Sequence, residues 1–300
     1  EEVNVVPKKA RRKRLVPKSV QRSSKGIKSI EREKFVPLVK EEVEKEKKGT
    51  NEKEDEDVQA GRRKRSKKEP RDWETVWSAI QSMREETIAP VDTMGCDRLF
   101  DSEAPPPVRR FQILVSLMLS SQTKDQAVSA CVKRLQSIEG GLTPSSILAL
   151  SDDELRSQLY GVGFHNRKTT YLKKVSSTIL DPPYNGDIPR TLTELVSLPG
   201  VGPKMAHLAL QAAWNDTVGI GVDVHVHRIA ARLGWTKKCP TPEHTRKALE
   251  EWLPFEKWRP INEMLVGFGQ TVCTPVNPKC GECKARSLCP VGRRHRLKKE

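Results

Sequence analysis

The chain has 300 residues, with 54 Lys and Arg against 39 Asp and Glu, and a formal net charge of +15. A balance this basic favours a polyanionic partner, because phosphate contacts release condensed counterions, but charge alone does not choose between DNA, RNA and an anionic membrane surface. No apolar run approaches the length needed to span a bilayer, which excludes a transmembrane protein, and because the chain opens on Glu1 any targeting signal ahead of it is not legible.

Residues 1–70 hold 23 Lys and Arg, 14 Asp and Glu, and a single aromatic, Phe35. Such a segment cannot bury enough apolar surface to offset its chain entropy, so residues 1–71 read as a disordered basic tail. Its two basic clusters, Lys8–Arg14 and Arg62–Lys68, flank an acidic stretch from Glu52 to Asp57. Clusters of this length serve as nuclear localisation signals or as nonspecific nucleic-acid arms, or else as a solvated tail with no receptor.

From Asp72 onward helical periodicity recurs. Val108–Ser120 is nearly apolar after its first turn and reads as a buried helix. Asp125–Gln136 and Asn166–Leu180 are amphipathic. Ser151 with Glu154, and Thr191 with Glu194, have capping-box spacing. Thr143-Pro144 and Thr241-Pro242 each put a good N-cap before a proline at the first helical position. Sustained two-residue alternation is rare, so the fold class is all-α, many short helices joined by short loops.

Leu198-Pro199-Gly200-Val201-Gly202-Pro203-Lys204 sits between two helical patterns. Gly200 and Gly202 permit a tight hairpin, and Pro203 suits the first turn of the next helix. Free N–H groups at that helix start favour phosphate, although a plain helical hairpin has the same glycines. Lys204 opens the second helix, where the helix dipole and an apolar pocket favour the neutral amine that nucleophilic catalysis needs. Nineteen residues on, Asp223 opens the pattern Val224–Leu233. Asp223 either only caps that helix or also faces the loop, where it would draw the lysine back toward its charged form; Lys204 either attacks substrate or only grips phosphate.

Seven cysteines are present, and four of them, Cys273, Cys280, Cys283 and Cys289, lie within 17 residues. An odd count clustered at one end of a long basic chain points to a metal or cluster site in a reducing compartment. The spacing C-x6-C-x2-C-x5-C has one CxxC pair where zinc commonly uses two, so it weakens a zinc reading and leaves both a single metal and a cluster open. Cys96, Cys131 and Cys239 carry no spacing signal and default to buried, inert thiols.

Taken together, the LPGVGPK hairpin, the aspartate in its VDxHVxR context and the four-cysteine spacing resemble the endonuclease III family of DNA glycosylases. The resemblance covers roughly Asp72 to Pro290 and none of the tail. It implies two helical domains with a DNA groove between them. One is a six-helix domain with the helix-hairpin-helix at 103–217, the other an iron–sulfur cluster domain built from 72–102 and 218–300. It implies a [4Fe–4S] cluster on the four cysteines. It implies removal of oxidised pyrimidines from duplex DNA followed by strand cleavage, with Lys204 attacking the sugar and Asp223 assisting. By position, Gln122 matches the family's gap-filling glutamine, and Phe164 and His165 match its wedge loop, with Phe164 as a core residue the alternative; Arg167 and Lys168 would meet phosphate or be solvated. The resemblance implies that the cluster supports a DNA-binding loop, with the basic Lys279, Lys284 and Arg286 nearby. Val224 departs from the family's usual threonine and removes a hydroxyl near Asp223. The expected partner is double-stranded DNA with a damaged base or abasic site; a monomer is the default state, and the expected compartment is the nucleus, with the mitochondrion as a second one. Two alternatives remain: an adenine-mismatch glycosylase on the same scaffold, which lacks a lysine at 204, and a noncatalytic DNA-binding protein with a zinc module.

Overall fold

The computed structural model describes residues 69–294; the basic clusters, the acidic stretch and nearly all of the tail lie outside them. The described residues contain helices and no strand. In chain order the helices are α1 Trp73–Glu85, α2 Pro90–Met94, α3 Pro106–Ser120, α4 Asp125–Gln136, α5 Pro144–Ala149, α6 Asp152–Gln158, α7 His165–Leu180, α8 Leu192–Ser197, α9 Pro203–Ala213, α10 Val224–Leu233, α11 Pro242–Glu250, α12 Pro260–Thr271 and α13 Pro290–Arg294. No helix among them is long and apolar enough to cross a membrane.

The expected starts hold because the cap chemistry is local. Ser151 accepts from the Glu154 N–H at 3.2 Å while the Glu154 carboxylate accepts from the Ser151 N–H at 2.7 Å, a complete capping box. Thr143, Thr191 and Thr241 accept from the N–H three residues on. Each such cap contributes about 1 kcal/mol.

Two hydrophobic cores form. The first draws on residues from Leu99 to Leu210 and is centred on α3, whose Phe111 to Leu119 are all buried. A helix apolar all round must be enclosed on every side, and α4, α7 and α9 enclose this one. The second joins α1 to residues 220–285. The α1 stripe Trp73, Val76, Trp77, Ile80 and Met83 recurs every three or four residues and packs on α12. Trp73 meets Trp252 edge-on with ring centroids 5.4 Å apart, and Trp77 stacks on Trp235 at 6.4 Å; burial of each such ring is worth about 2–3 kcal/mol. Gly267 and Gly269 on α12 give way to large neighbours. A Cβ on Gly267 would strike the Arg84 guanidinium, and one on Gly269 the His225 ring. Those two glycines let α1 and α10 approach α12 closely.

Candidate active site

The hairpin lies where the two cores meet. After α8, Gly200 takes a φ of +84°, and a Cβ there would lie 2.5 Å from the Tyr171 ring, so glycine is needed for both backbone and space. Gly202 departs from expectation. Its φ of −103° and ψ of 172° are ordinary extended backbone, and a Cβ would meet nothing within 4 Å. Glycine here leaves open space ahead of α9 and makes no special turn. Among the described residues the N–H groups of Gly200, Gly202 and Lys204 donate to no acceptor, which leaves free donors at the positive end of α9.

Lys204 Nζ stands 3.9 Å from Asp223 Oδ2, with 39% of the lysine side chain exposed and 11% of the aspartate. This is an ion pair, too long for a hydrogen bond. The other oxygen, Asp223 Oδ1, accepts from the Val226 N–H at 2.8 Å. The carboxylate therefore caps α10 and faces the lysine at once, which overturns the reading of Asp223 as a cap alone. Val224 is 67% exposed, turned to solvent at the first position of α10.

Beside the pair is an open cleft of about 350 Å³ lined by Gln122, Thr123, Asp125, His225 and Gln270. Gln270 Nε2 donates to Asp125 Oδ2 at 2.7 Å while its Oε1 accepts from the Val91 N–H at 3.1 Å. Burial holds the His225 imidazole below the usual histidine range, with Asp223 opposing and Arg228 and Lys204 adding to the effect. The cleft is thus lined with amide and carboxylate groups, by Lys124, and by a histidine kept toward its neutral form.

Two loop tips stand at this surface. Gln122 is exposed with a φ of +51°, and Phe164 is 56% exposed with a φ of +56°. The exposure of Phe164 overturns its reading as a core residue. His165 is half-buried and starts α7. Lys168 neither meets solvent nor awaits phosphate, as the sequence suggested. It is 5% exposed, and its Nζ donates to Leu119 O and Ser121 O, each at 2.7 Å, and to Thr123 Oγ1 at 3.2 Å. Arg167 beside it is exposed.

Residues 115–255 match the HhH-GPD superfamily base excision DNA repair protein family. The chain is 54% identical over 227 residues to endonuclease III-like protein 1 of Gallus gallus, across 75% of this chain and 80% of that protein. It is 53% identical over 226 residues to endonuclease III-like protein 1 of Bos taurus, across 75% of this chain and 73% of that one. The chain belongs to the endonuclease III family. The fold also matches the solved structure of a trapped endonuclease III–DNA covalent intermediate, an estranged-adenine complex, at TM-score 0.62 and 27% identity, over 74% of this chain and 97% of that one. A non-covalent endonuclease III–DNA complex matches at TM-score 0.62 and 28% identity, over 74% and 96%. As a family member the protein is a base excision repair enzyme, a DNA glycosylase and AP lyase that binds DNA.

In this endonuclease III family member Cys273, Cys280, Cys283 and Cys289 line one cavity beneath α10 and α12. Among the described residues no group of three or more His, Cys, Asp or Glu stands close enough to hold one metal ion. Arg232 donates to the carbonyls of Thr274 and Pro275 at 2.7 and 2.8 Å and lies 3.4 Å from Cys273 Sγ, and the Gly292 N–H lies 3.3 Å from Cys289 Sγ. Lys284 pairs with Glu86 and Ser82 at the end of α1, so it staples the cysteine segment to that helix and is not a free cation. All seven cysteines are free. Cys131 is buried as expected, whereas Cys96 and Cys239 are half-buried.

Sequence reasoning found the pair, the hairpin and the cysteines, but it missed the cleft residues Asp125 and Gln270. These come together across 145 positions, and neither carries a local motif.

Proposed function

We propose that the enzyme excises oxidised pyrimidines from duplex DNA and then cleaves the strand, with Lys204 as nucleophile and Asp223 as its partner. The observation that carries this reading is the half-exposed Lys204 amine, 3.9 Å from a carboxylate that is itself fixed by its bond to the Val226 N–H. The amine attacks the sugar C1′, the base departs, and the resulting Schiff base undergoes β-elimination that breaks the strand 3′ to the lesion. Asp223 orients the amine and stabilises positive charge developing on the sugar. Lysine at this place favours the bifunctional enzyme over an adenine-mismatch glycosylase, and the paired carboxylate favours an enzyme over a noncatalytic binder.

Gly200 and Gly202 present their N–H groups to a backbone phosphate, a contact that positions without reading sequence. Gln122, Phe164 and His165 occupy the gap left by the extruded nucleotide. The two cores serve as two domains close to the expected 103–217 and 72–102 with 218–300, except that Leu99 and its neighbours Cys96 and Phe100 pack with the first, and the duplex lies in the groove between them. Cys273, Cys280, Cys283 and Cys289 hold a [4Fe–4S] cluster. The four cysteines line one cavity, and their spacing, with one CxxC pair where zinc commonly uses two, suits a cluster better than zinc. The cluster supplies structural support for the segment that carries Lys279 and Arg286; iron and acid-labile sulfide in the purified protein distinguish it from a zinc module. The basic clusters of the tail support delivery to the nucleus, with the mitochondrion as a second compartment, and the enzyme acts as a monomer.

The test is borohydride trapping on a duplex carrying one oxidised pyrimidine, with the native enzyme beside Lys204→Gln. A covalent adduct with the native enzyme alone is expected. An adduct that persists in Lys204→Gln sinks the nucleophile assignment, and base loss with no adduct in either protein means a monofunctional glycosylase.

A further inference from the structure

We propose that Lys168 is a positioning residue which locks the Gln122 and Phe164 tips into one rigid two-pronged blade, so that both enter the duplex in fixed register. The inference rests on the reading above that these tips enter DNA.

The two tips are 42 positions apart in sequence; Arg134 on α4 ties that helix to the turn before Phe164 through Gln158 O and Tyr160 O, and a further contact has to join the segments that carry the tips themselves. Lys168 does so from below. It sits on α7, one turn past Phe164, and sends its ammonium across to the segment that carries Gln122. All three of its donors are used, on Leu119 O, Ser121 O and Thr123 Oγ1. Leu119 O is among the last four carbonyls of α3, which have no partner inside the helix, so the ammonium also meets the negative end of that helix.

A second contact locks the same two segments. The Gly163 N–H donates to Thr123 Oγ1 at 3.1 Å, and a Cβ on Gly163 would lie 2.4 Å from Gln122 O. Only glycine allows so close an approach. Both tips then adopt the left-handed region without being glycine, a conformation that persists where the surroundings over-determine it. The ammonium has no carboxylate partner among the described residues, and burial draws it down to about 8. An alkyl or thioether chain would fill the same space without burying a charge. What the ammonium adds is direction: three hydrogen bonds to the end of α3 and the loop that follows it.

The test uses the full chain with Lys168→Met and, as a separate way of parting the segments, Gly163→Ala. Amide hydrogen exchange without DNA is followed over residues 119–124 and 161–166. Excision from a duplex with one oxidised pyrimidine is compared with cleavage of a preformed abasic site in single-stranded DNA, which needs no extrusion. Expected are faster exchange in both segments together and a duplex kcat/KM lowered roughly 10–100-fold, with single-strand cleavage within about threefold of native. If exchange rises in one segment only, or in neither, the clamp is wrong while the reading of the tips stands. If exchange rises in both but the duplex is not selectively affected, the reading of the tips fails and this inference with it. Equal loss on both substrates marks a merely structural lysine and overturns the proposal. If Lys168→Met does not fold, Gly163→Ala decides by the same criteria.

Discussion

Gln211 donates its side-chain amide to the Gly219 carbonyl across 2.7 Å, and so ties the helix that bears Lys204 to the segment that ends in Asp223. The next two peptide groups are held from the other side. Glu250 accepts from the Ile220 N–H at 2.7 Å, and Asn262 donates to Gly221 O at 2.5 Å. Three consecutive residues are therefore pinned by α9, α11 and α12. The separation of Lys204 and Asp223 is set by this strap as much as by either side chain.

Gln211→Leu leaves the Gly219 carbonyl buried and unpaired. It is expected to cost about 1–3 kcal/mol in chemical denaturation. Because the strap sets the separation of Lys204 and Asp223, the proposed catalytic pair, single-turnover excision should slow by more than DNA affinity weakens. An excision rate equal to native at saturating enzyme would show that the pair is positioned by something else.

Asp223 has two duties that two substitutions separate. Asn keeps an acceptor for the Val226 N–H, so Asp223→Asn should leave the melting temperature almost unchanged while base release collapses. Asp223→Ala should lose base release and also about 1 kcal/mol of capping. Near-native base release in the asparagine variant would remove the carboxylate from the chemistry.

The two hairpin glycines should answer differently to alanine. Gly200→Ala forces a Cβ into the left-handed region and into the Tyr171 ring, and should destabilise by more than about 1 kcal/mol. Gly202→Ala meets neither obstacle. Its stability should be native, and any weakening should appear as a uniform loss of affinity for damaged and undamaged duplex alike, read by fluorescence anisotropy. A large stability loss in Gly202→Ala would contradict the extended backbone found there.

His207 is 3% exposed, and its Nδ1 has no hydrogen-bond partner. Burial first, then the nearby Arg246, pull its pKa down to about 4, against a small opposing effect of Glu243. The unfolded chain binds this proton near pH 6.5 and the folded one only near 4, so stability is full above 6.5 and falls as pH drops between those values. The loss should reach roughly 3 kcal/mol. His207→Gln should flatten the slope of unfolding free energy against pH in that window; an unchanged slope would place the titration elsewhere.

The sequence carried the local half of this structure. Ser151, Thr143, Thr191 and Thr241 announced their helices because a cap is a contact over three residues. The hairpin, Lys204 and Asp223 were legible for a similar reason, being compact motifs with chemistry in them. Lys168 was misread because its neighbours in sequence, Asn166 and Arg167, are exposed; its burial is decided by a loop more than 40 positions away. Gln270 and Gln211 gave no signal at all, since a glutamine acquires its role only from the partner that folding brings to it. The helix Trp73–Glu85 has a plain apolar stripe, but its place in the second core depends on residues 220–285.

That last dependence has a consequence for biosynthesis. The first core is complete once Leu210 has left the ribosome, so it can close while the rest of the chain is still being made. The second cannot: Trp73 and Trp77 wait, with their indoles uncovered, until Trp235, Trp252 and finally Ala285 have emerged. The nascent chain therefore trails an adhesive N-terminal helix through most of its own translation. A stop codon or a stall anywhere between 211 and 285 would release a polypeptide with a folded half and an exposed tryptophan face, a natural substrate for chaperones and proteases.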